Sequence, residues 1–236
     1  MKLTTVLFDL DGTLLPMDEN LFIKVYFKNL AARLAPHGYD PEKLVAAIWG
    51  GTSAMMKNDG SKTNEAAFWD FFSGVFGERA RDDEPIFEDF YRNEFSLVRD
   101  VCTKDPKADE AIKEIKTLGL RTALATNPLF PRIATLSRIE WAGCDSDDFE
   151  VITTYENSRY CKPSREYYLD ILNEMGVCPE ECLMVGNNPD EDMIAETLGM
   201  RVFLFPRCII NKDNRDISRY PQGSFCELLE YIKTEL

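Results

Sequence analysis

The sequence has a single histidine, His37, and none of its seven cysteines forms a CxxC pair. One histidine removes most mechanisms that need a histidine base, because no other side chain has an unperturbed pKa near neutrality. The same scarcity makes a tetrahedral zinc site hard to assemble. An odd number of scattered cysteines favours reduced thiols over a disulfide framework. Chemistry in this chain must therefore rest on other side chains.

Basic residues are also scarce. The chain of 236 residues has 27 Lys and Arg against 41 Asp and Glu, a formal net charge of -14. Nucleic acids and anionic membranes need clustered cations, so we expect neither as a partner. The N-terminal MKLTTVLFDLDG has no signal-peptide pattern, and no apolar run is long enough to span a bilayer. These features predict a cytoplasmic protein, with a monomer and a homodimer both compatible.

The periodicity of the chain changes in blocks. Residues 3–8 form an apolar strand candidate, and every periodic segment from about residue 19 to 100 is typical of helices. After residue 100, helices alternate with short apolar strands over residues 120–126, 149–156, 182–186 and 201–206. This alternation predicts an α/β fold with a doubly wound parallel sheet. We predict one α/β domain from residues 1–15 and 101–236, with an all-helical domain inserted over residues 16–100.

Polar side chains follow the predicted strands. Ligands of open parallel sheets bind outside the carboxyl ends of the strands, so these side chains should meet. The residues are, in chain order, Asp9, Asp11, Thr126, Asn127, Lys162, Asn187, Asn188, Asp190, Glu191 and Asp192.

The pair in FDLDGTLL places Asp9 and Asp11 on the same side of an extended strand, where two carboxylates repel each other. A cation between them, or a proton on one, would relieve that repulsion. Phosphoryl transfer through an Asp nucleophile needs this arrangement, with Mg²⁺ to neutralise the approaching anions and a second carboxyl to move protons. Thr126 and Lys162 can donate hydrogen bonds to the remaining phosphate oxygens.

The motifs DLDGT, ATN, KP and VGNNPDED, in this order and after these elements, resemble those of the haloacid dehalogenase (HAD) superfamily of phosphohydrolases. The resemblance covers essentially the whole chain, and the helical insertion resembles that family's mobile cap of the first type. It implies that Asp9 is a covalent nucleophile and that Asp11 is a general acid/base whose backbone carbonyl also binds Mg²⁺. It also implies phosphate binding by Thr126, with Asn127 beside it in the same motif, and an orienting role for Lys162.

The resemblance further implies that the metal ligands are Asp9, Asp11 and residues after Gly186. Many members have Gly-Asp where this chain has Gly186 and Asn187. Asn187 can ligate through its amide oxygen, and Asp192 or Asp190 then carries more of the metal site.

We therefore predict a Mg²⁺-dependent phosphatase that acts on a small phosphorylated metabolite through an aspartyl phosphate at Asp9. A phosphosugar mutase of the same fold and a non-catalytic binding module are the alternatives. Substrate choice is expected to lie in the insertion, where residues 49–57 interrupt the helical pattern and either reach the active site or pack inside the helical bundle. Phe68, Trp69, Phe71, Phe72 and Phe76 surround one helix, which favours a buried core over a ligand cage.

Overall fold

The computed structural model describes residues 1–236 and contains one five-stranded parallel sheet. The strands are, in chain order, β1 (Thr5–Phe8), β2 (Arg121–Leu124), β3 (Val151–Ile152), β4 (Cys182–Gly186) and β5 (Arg201–Leu204). Their spatial order is β3-β2-β1-β4-β5, so β1 is central. Every pairing is parallel, and the carboxyl ends of all five strands lie at one edge. The predicted doubly wound α/β sheet is confirmed.

The register of the central strands continues one residue past β1. Phe8 pairs with Leu124 on β2 and with Val185 on β4. The backbone N–H of Asp9 donates to the Val185 carbonyl at 2.9 Å, and that of Ala125 donates to the Phe8 carbonyl at 2.7 Å. These bonds fix the backbone of Asp9 at the carboxyl edge of the sheet.

Most of the chain between β1 and the helix that precedes β2 is helical, and we refer to residues 16–100 as the helical segment. Its helices are α1 (Glu19–Leu34), α2 (Pro41–Met56), α3 (Asn64–Phe76), α4 (Arg79–Asp82) and α5 (Glu84–Arg92). The side chains of Asp18, Asp40 and Thr63 cap the first, second and third of these by accepting a backbone N–H. The helical pattern of residues 85–99 does not form one continuous helix. Helix α5 ends at Arg92, because Asn93 leaves the helical region at φ −117° and ψ −80°. A 3₁₀ helix over Glu94–Val101 follows.

Four further helices flank the sheet: α6 (Pro106–Thr117), α7 (Arg132–Ala142), α8 (Arg165–Met175) and α9 (Phe225–Glu235). The sequence patterns described above give no prediction for α7. The helix expected between β4 and β5 from the alternating pattern is a short 3₁₀ helix, Met193–Leu198. The strand predicted over residues 149–156 is shortened because the Asn157 side chain accepts the backbone N–H of Thr154 at 2.8 Å and turns the chain.

The two faces of the sheet bury two hydrophobic clusters. Val6 and Phe8 belong to the larger cluster, and Leu7 points to the smaller one on the other face. The larger cluster also contains side chains of the helical segment, and Phe22 of α1 meets Phe130 edge to face with ring centroids 6.3 Å apart. The helical segment and one face of the sheet therefore share a continuous core.

No α-helix in the structure combines the length and apolar character that a membrane crossing requires.

Candidate active site

The predicted site residues converge at the carboxyl edge of the sheet. Eight of the ten residues line one cavity: Asp9, Asp11, Thr126, Asn127, Asn187, Asn188, Glu191 and Asp192. Lys162 is not part of the cavity lining, but it contacts Asp9 and Asp192. Asp9, Thr126 and Asn187 follow β1, β2 and β4 directly or within two residues, so the parallel register brings them together.

Lys162 is the only lysine buried at this edge, with 1% of its surface exposed. Its ammonium donates to Asp9 Oδ1 at 2.8 Å and to Asp192 Oδ1 at 2.6 Å. Burial by itself lowers the pKa of Lys162, but the carboxylates of Asp192 and Asp9 outweigh burial and hold that pKa well above its usual value. A charged lysine thus joins the end of β1 to the loop that follows β4.

The second oxygen of Asp9 and the Asn187 side chain both lie within hydrogen-bond distance of the Thr13 hydroxyl. The Thr13 hydroxyl donates to Asp9 Oδ2 at 3.1 Å and lies 3.4 Å from Asn187 Oδ1. The Asn187 amide nitrogen donates to the Cys208 carbonyl at 2.6 Å, which turns the amide oxygen toward Thr13. A Cβ at Gly12, whose φ is +83°, would lie 2.1 Å from that nitrogen, so only glycine leaves room for the Asn187 amide.

Asp11 is held by a residue that the sequence patterns did not indicate. Arg138 of α7 is 1% exposed, and its guanidinium donates to Asp11 Oδ2. The same guanidinium donates to Thr135 Oγ1 at 3.3 Å and lies 4.5 Å from the ring centre of Phe130. Burial raises the pKa of Asp11, and the ion pair with Arg138 opposes that rise. Asp11 Oδ1 is buried and has no hydrogen-bond partner.

The acidic residues after β4 have three different environments. Asp192 is 1% exposed, and its Oδ2 accepts the Asn188 backbone N–H at 2.9 Å while its Oδ1 binds Lys162. Burial raises the pKa of Glu191 to about 7, and its carboxylate accepts the Asn127 amide N–H at 3.1 Å. Asp190 instead forms an ion pair with Arg215 at 2.7 Å on the outer side.

The donor atoms at this edge fit a hard divalent cation. No three Asp, Glu, His or Cys side chains form a metal-binding group by themselves. Asp9 Oδ2 and Asn187 Oδ1, however, both face the Thr13 hydroxyl, and carboxylate and amide oxygens are ligands that Mg²⁺ accepts while it keeps several waters. Asp192 already uses both oxygens in hydrogen bonds, and its role as a ligand stays a prediction.

The cavity above these residues has a volume of about 260 Å³ and extends into the helical segment. Trp49 and Thr52 of α2 line it, whereas Met55 is buried in the core and Lys57 is exposed. The segment predicted to reach the active site therefore does so through its first residues only.

The aromatic residues of α3 are mostly core residues. Phe68, Trp69 and Phe72 belong to the larger hydrophobic cluster, and Phe76 packs against it. The predicted buried core is therefore confirmed for these four, whereas Phe71 is 40% exposed. Phe68 and Trp69 also line the cavity.

Comparison with known proteins identifies the protein family to which this chain belongs. Residues 3–195 match the family of haloacid dehalogenase-like hydrolases. The chain belongs to this family, as the sequence motifs indicated, and is a hydrolase.

Individual relatives are distant. Pyrophosphatase PpaX from Bacillus cereus (strain AH820) is 25% identical over 207 residues, which cover 85% of this chain and 82% of that protein. A HAD phosphatase from Thermococcus onnurineus has a TM-score of 0.61 at 20% identity, and the match covers 98% of both chains. A 2-haloacid dehalogenase from Pseudomonas syringae pv. Tomato DC3000 has a TM-score of 0.62 at 18% identity, again over 98% of both chains. At these identities the two structures show a shared fold.

Proposed function

We propose that this chain is a Mg²⁺-dependent phosphatase that hydrolyses a small phosphorylated metabolite through an aspartyl phosphate at Asp9. The observation that carries the proposal is the buried ammonium of Lys162 between Asp9 and Asp192 at the end of the central strand. A buried cation of this kind holds one carboxylate in a fixed orientation and offsets the charge of an arriving phosphate. The similarity to PpaX, a pyrophosphatase, supports phosphoryl chemistry.

The first chemical step uses both residues of the DLDGT motif. An oxygen of Asp9 attacks phosphorus, and the bond from phosphorus to the alcohol oxygen breaks. For this step Asp11 carries a proton on Oδ1, the oxygen that has no partner, while Oδ2 keeps its hydrogen bond from Arg138. Asp11 gives that proton to the leaving oxygen, so that a neutral alcohol departs. The products of this step are the alcohol and an acyl phosphate on Asp9.

The second step returns the enzyme to its starting state. Water attacks the phosphorus of the aspartyl phosphate, and Asp11, now ionised, accepts a proton from that water. The bond between phosphorus and the Asp9 oxygen breaks, which releases inorganic phosphate and restores the Asp9 carboxylate. Asp11 ends the cycle protonated, so atoms and charges balance.

The neighbouring residues bind the phosphate and the metal in this proposal. Thr126, Asn127 and Lys162 donate to the phosphate oxygens. Asp9, the backbone carbonyl of Asp11 and Asn187 would hold Mg²⁺, which when bound would offset the negative charge of phosphate and carboxylate. Asp192 acts chiefly by holding Lys162, since both of its oxygens are occupied in hydrogen bonds.

Arg138 is a positioning residue in this scheme. Its ion pair with Asp11, together with its stacking over Phe130, fixes the side chain that must exchange a proton with the leaving oxygen. The helical segment acts as a cap domain over residues 16–100, and it encloses the leaving group and excludes water.

The test is release of inorganic phosphate from p-nitrophenyl phosphate and from metabolite phosphates, with and without Mg²⁺. We expect turnover that needs the metal and that falls more than about 1000-fold in Asp9→Asn, which keeps the size of the side chain. A folded native protein that releases no phosphate at any Mg²⁺ concentration would contradict the proposal and favour a binding module. Phosphate transfer between positions of a sugar without net release would favour a mutase.

A further inference from the structure

The part of the cavity that faces the helical segment is aromatic. Ten of the 27 lining residues are Phe, Tyr or Trp, and eight of these ten come from the helical segment. In this position they would surround the alcohol part of a phosphate ester whose phosphorus lies at Asp9. Representative members of this wall are Phe22, Tyr26, Trp49, Phe68, Trp69 and Phe130. We refer to these six residues as the aromatic wall.

Apart from Glu19, the polar side chains that the helical segment contributes to the cavity are neutral. The hydroxyls of Tyr26 and Tyr91 bind each other at 2.8 Å, and burial raises the pKa of Tyr26 to about 12. Trp69 is 2% exposed, and its indole N–H lies close to the Tyr155 hydroxyl, which also lines the cavity. A neutral oxygen on a ligand can therefore be accommodated here.

Charge distinguishes this cavity from a site for a dianionic leaving group. Lys212, at the rim, is the only cationic residue that lines the cavity, whereas Glu19 adds a negative charge on the helical side. A second phosphate or a carboxylate on the leaving group would thus have one exposed lysine to pair with and would be repelled by Glu19. Burying such a charge among the aromatic side chains, away from Lys212, is costly.

We propose that the substrate is a phosphate monoester of an alcohol with an apolar, ring-sized carbon skeleton and no second charged group. The inference rests on the proposed phosphatase function and specifies its substrate class. The volume agrees with it, because the cavity measures about 260 Å³ and cavities of about 150 Å³ already hold benzene. Inorganic pyrophosphate, phosphorylated carboxylic acids and sugar phosphates fall outside this class.

The test compares esters whose alcohols have similar acidity, so that differences in kcat/KM report contacts rather than leaving-group chemistry. The esters are 2-phenylethyl phosphate, 2-hydroxyethyl phosphate and phosphoglycolate, assayed with Mg²⁺. Pyrophosphate is assayed beside them as an anhydride with a better leaving group, so its leaving-group chemistry favours it over the esters. We expect kcat/KM for 2-phenylethyl phosphate to exceed that for 2-hydroxyethyl phosphate by about 30-fold, because burial of one ring contributes on that scale. Phosphoglycolate and pyrophosphate should be poorer still.

A pair of variants tests whether the aromatic wall causes this preference. Trp49 is 49% exposed and lines the cavity, while Phe71 is 40% exposed and lies outside it. Trp49→Ala should lower the preference for the phenylethyl ester about 5-fold, and Phe71→Ala should leave it unchanged. Both side chains are too exposed for either variant to threaten folding, which circular dichroism can verify.

The outcomes separate the substrate class from the reaction. Turnover of 2-hydroxyethyl phosphate, phosphoglycolate or pyrophosphate that depends on Asp9 and equals or exceeds turnover of the phenylethyl ester would overturn the substrate class and leave the phosphatase function intact. Absence of turnover with every ester, p-nitrophenyl phosphate included, would overturn the phosphatase function and this inference with it. An equal loss of preference in Phe71→Ala would contradict the role of the wall.

Discussion

The carboxyl edge of the sheet and the aromatic wall line one cavity, and they differ in the interactions that hold their side chains in place. At the edge, each charged group has a defined partner, as in the contacts of Lys162 with Asp9 and Asp192 and of Arg138 with Asp11. The wall consists mainly of apolar rings, with one hydrogen bond between the hydroxyls of Tyr26 and Tyr91, and Trp49 is half exposed. The difference predicts that substitutions at the edge affect chemistry and folding together, whereas substitutions in the wall change selectivity.

The largest effect on stability and activity is expected from substitution of Lys162. Lys162→Met keeps the length of the side chain but leaves the buried carboxylates of Asp9 and Asp192 without their cation. Removing one partner of a buried ion pair costs about 3–5 kcal/mol, so urea denaturation should show a loss of that size in the free energy of unfolding. Phosphate release should fall at least about 100-fold, because in the proposed mechanism the ammonium also binds the phosphate.

Lys212→Met is the matched control for stability. Lys212 lines the same cavity but is exposed, and no ion pair holds it. Its free energy of unfolding should stay within about 0.5 kcal/mol of the native value. Equal losses in the two lysine variants would show that the bridge at Lys162 does not stabilise the edge.

Arg138 lies where the two regions meet, since it pairs with Asp11 and stacks over Phe130. Arg138→Met retains apolar contact with the ring and removes the ion pair. We expect kcat for alkyl phosphates to fall about 10- to 100-fold, with KM changed less than about 3-fold, because proton transfer to the leaving oxygen typically contributes at least that much.

Leaving-group dependence separates positioning from a purely structural role. p-Nitrophenolate departs without a proton, so Arg138→Met should affect p-nitrophenyl phosphate much less than an alkyl ester. Arg138→Lys should restore part of the alkyl-ester activity. Equal losses with both ester types, and no rescue by lysine, would indicate that Arg138 serves only the packing of α7.

The contrast between the two regions also explains which features of the site could be predicted from the sequence. The strand ends could be predicted because apolar runs mark the strands and a parallel sheet brings their carboxyl ends together. Asp9, Asn187 and Lys162 meet as expected for this reason, although their catalytic and metal-binding roles remain predictions. The rings that line the cavity were harder to predict from the sequence, because whether a ring on a helix lines a cavity or fills a core depends on tertiary packing.

Helix α7 is the clearest example of a signal that we did not use. Residues 131–143 begin with Pro131 and end with Gly143, and Thr135, Ile139 and Ala142 have the spacing of one helix face. With that helix predicted, Arg138 falls on the same face as Ala134 and would have been a candidate partner for a carboxylate. The ion pair with Asp11 spans 127 residues of sequence, so only the fold identifies the partner.

The smallest effect is expected from Asn187→Asp, which tests how one added negative charge changes metal binding at the edge. The new carboxylate adds a negative charge beside Asp9, so we expect direct Mg²⁺ binding, measured by calorimetry, to tighten about 3- to 10-fold. The metal-free protein should lose about 1–2 kcal/mol of stability, because the carboxylate replaces the amide that donates to the Cys208 carbonyl.

Asn188→Asp is the matched control for this substitution. Its side-chain oxygen accepts the backbone N–H groups of Asp190 and Glu191, and a carboxylate can accept the same bonds. It therefore adds the same charge nearby without entering the proposed donor set. If both variants tighten Mg²⁺ binding equally, the gain comes from long-range charge, and Asn187 does not ligate the metal; a gain confined to Asn187→Asp places that side chain in contact with the ion.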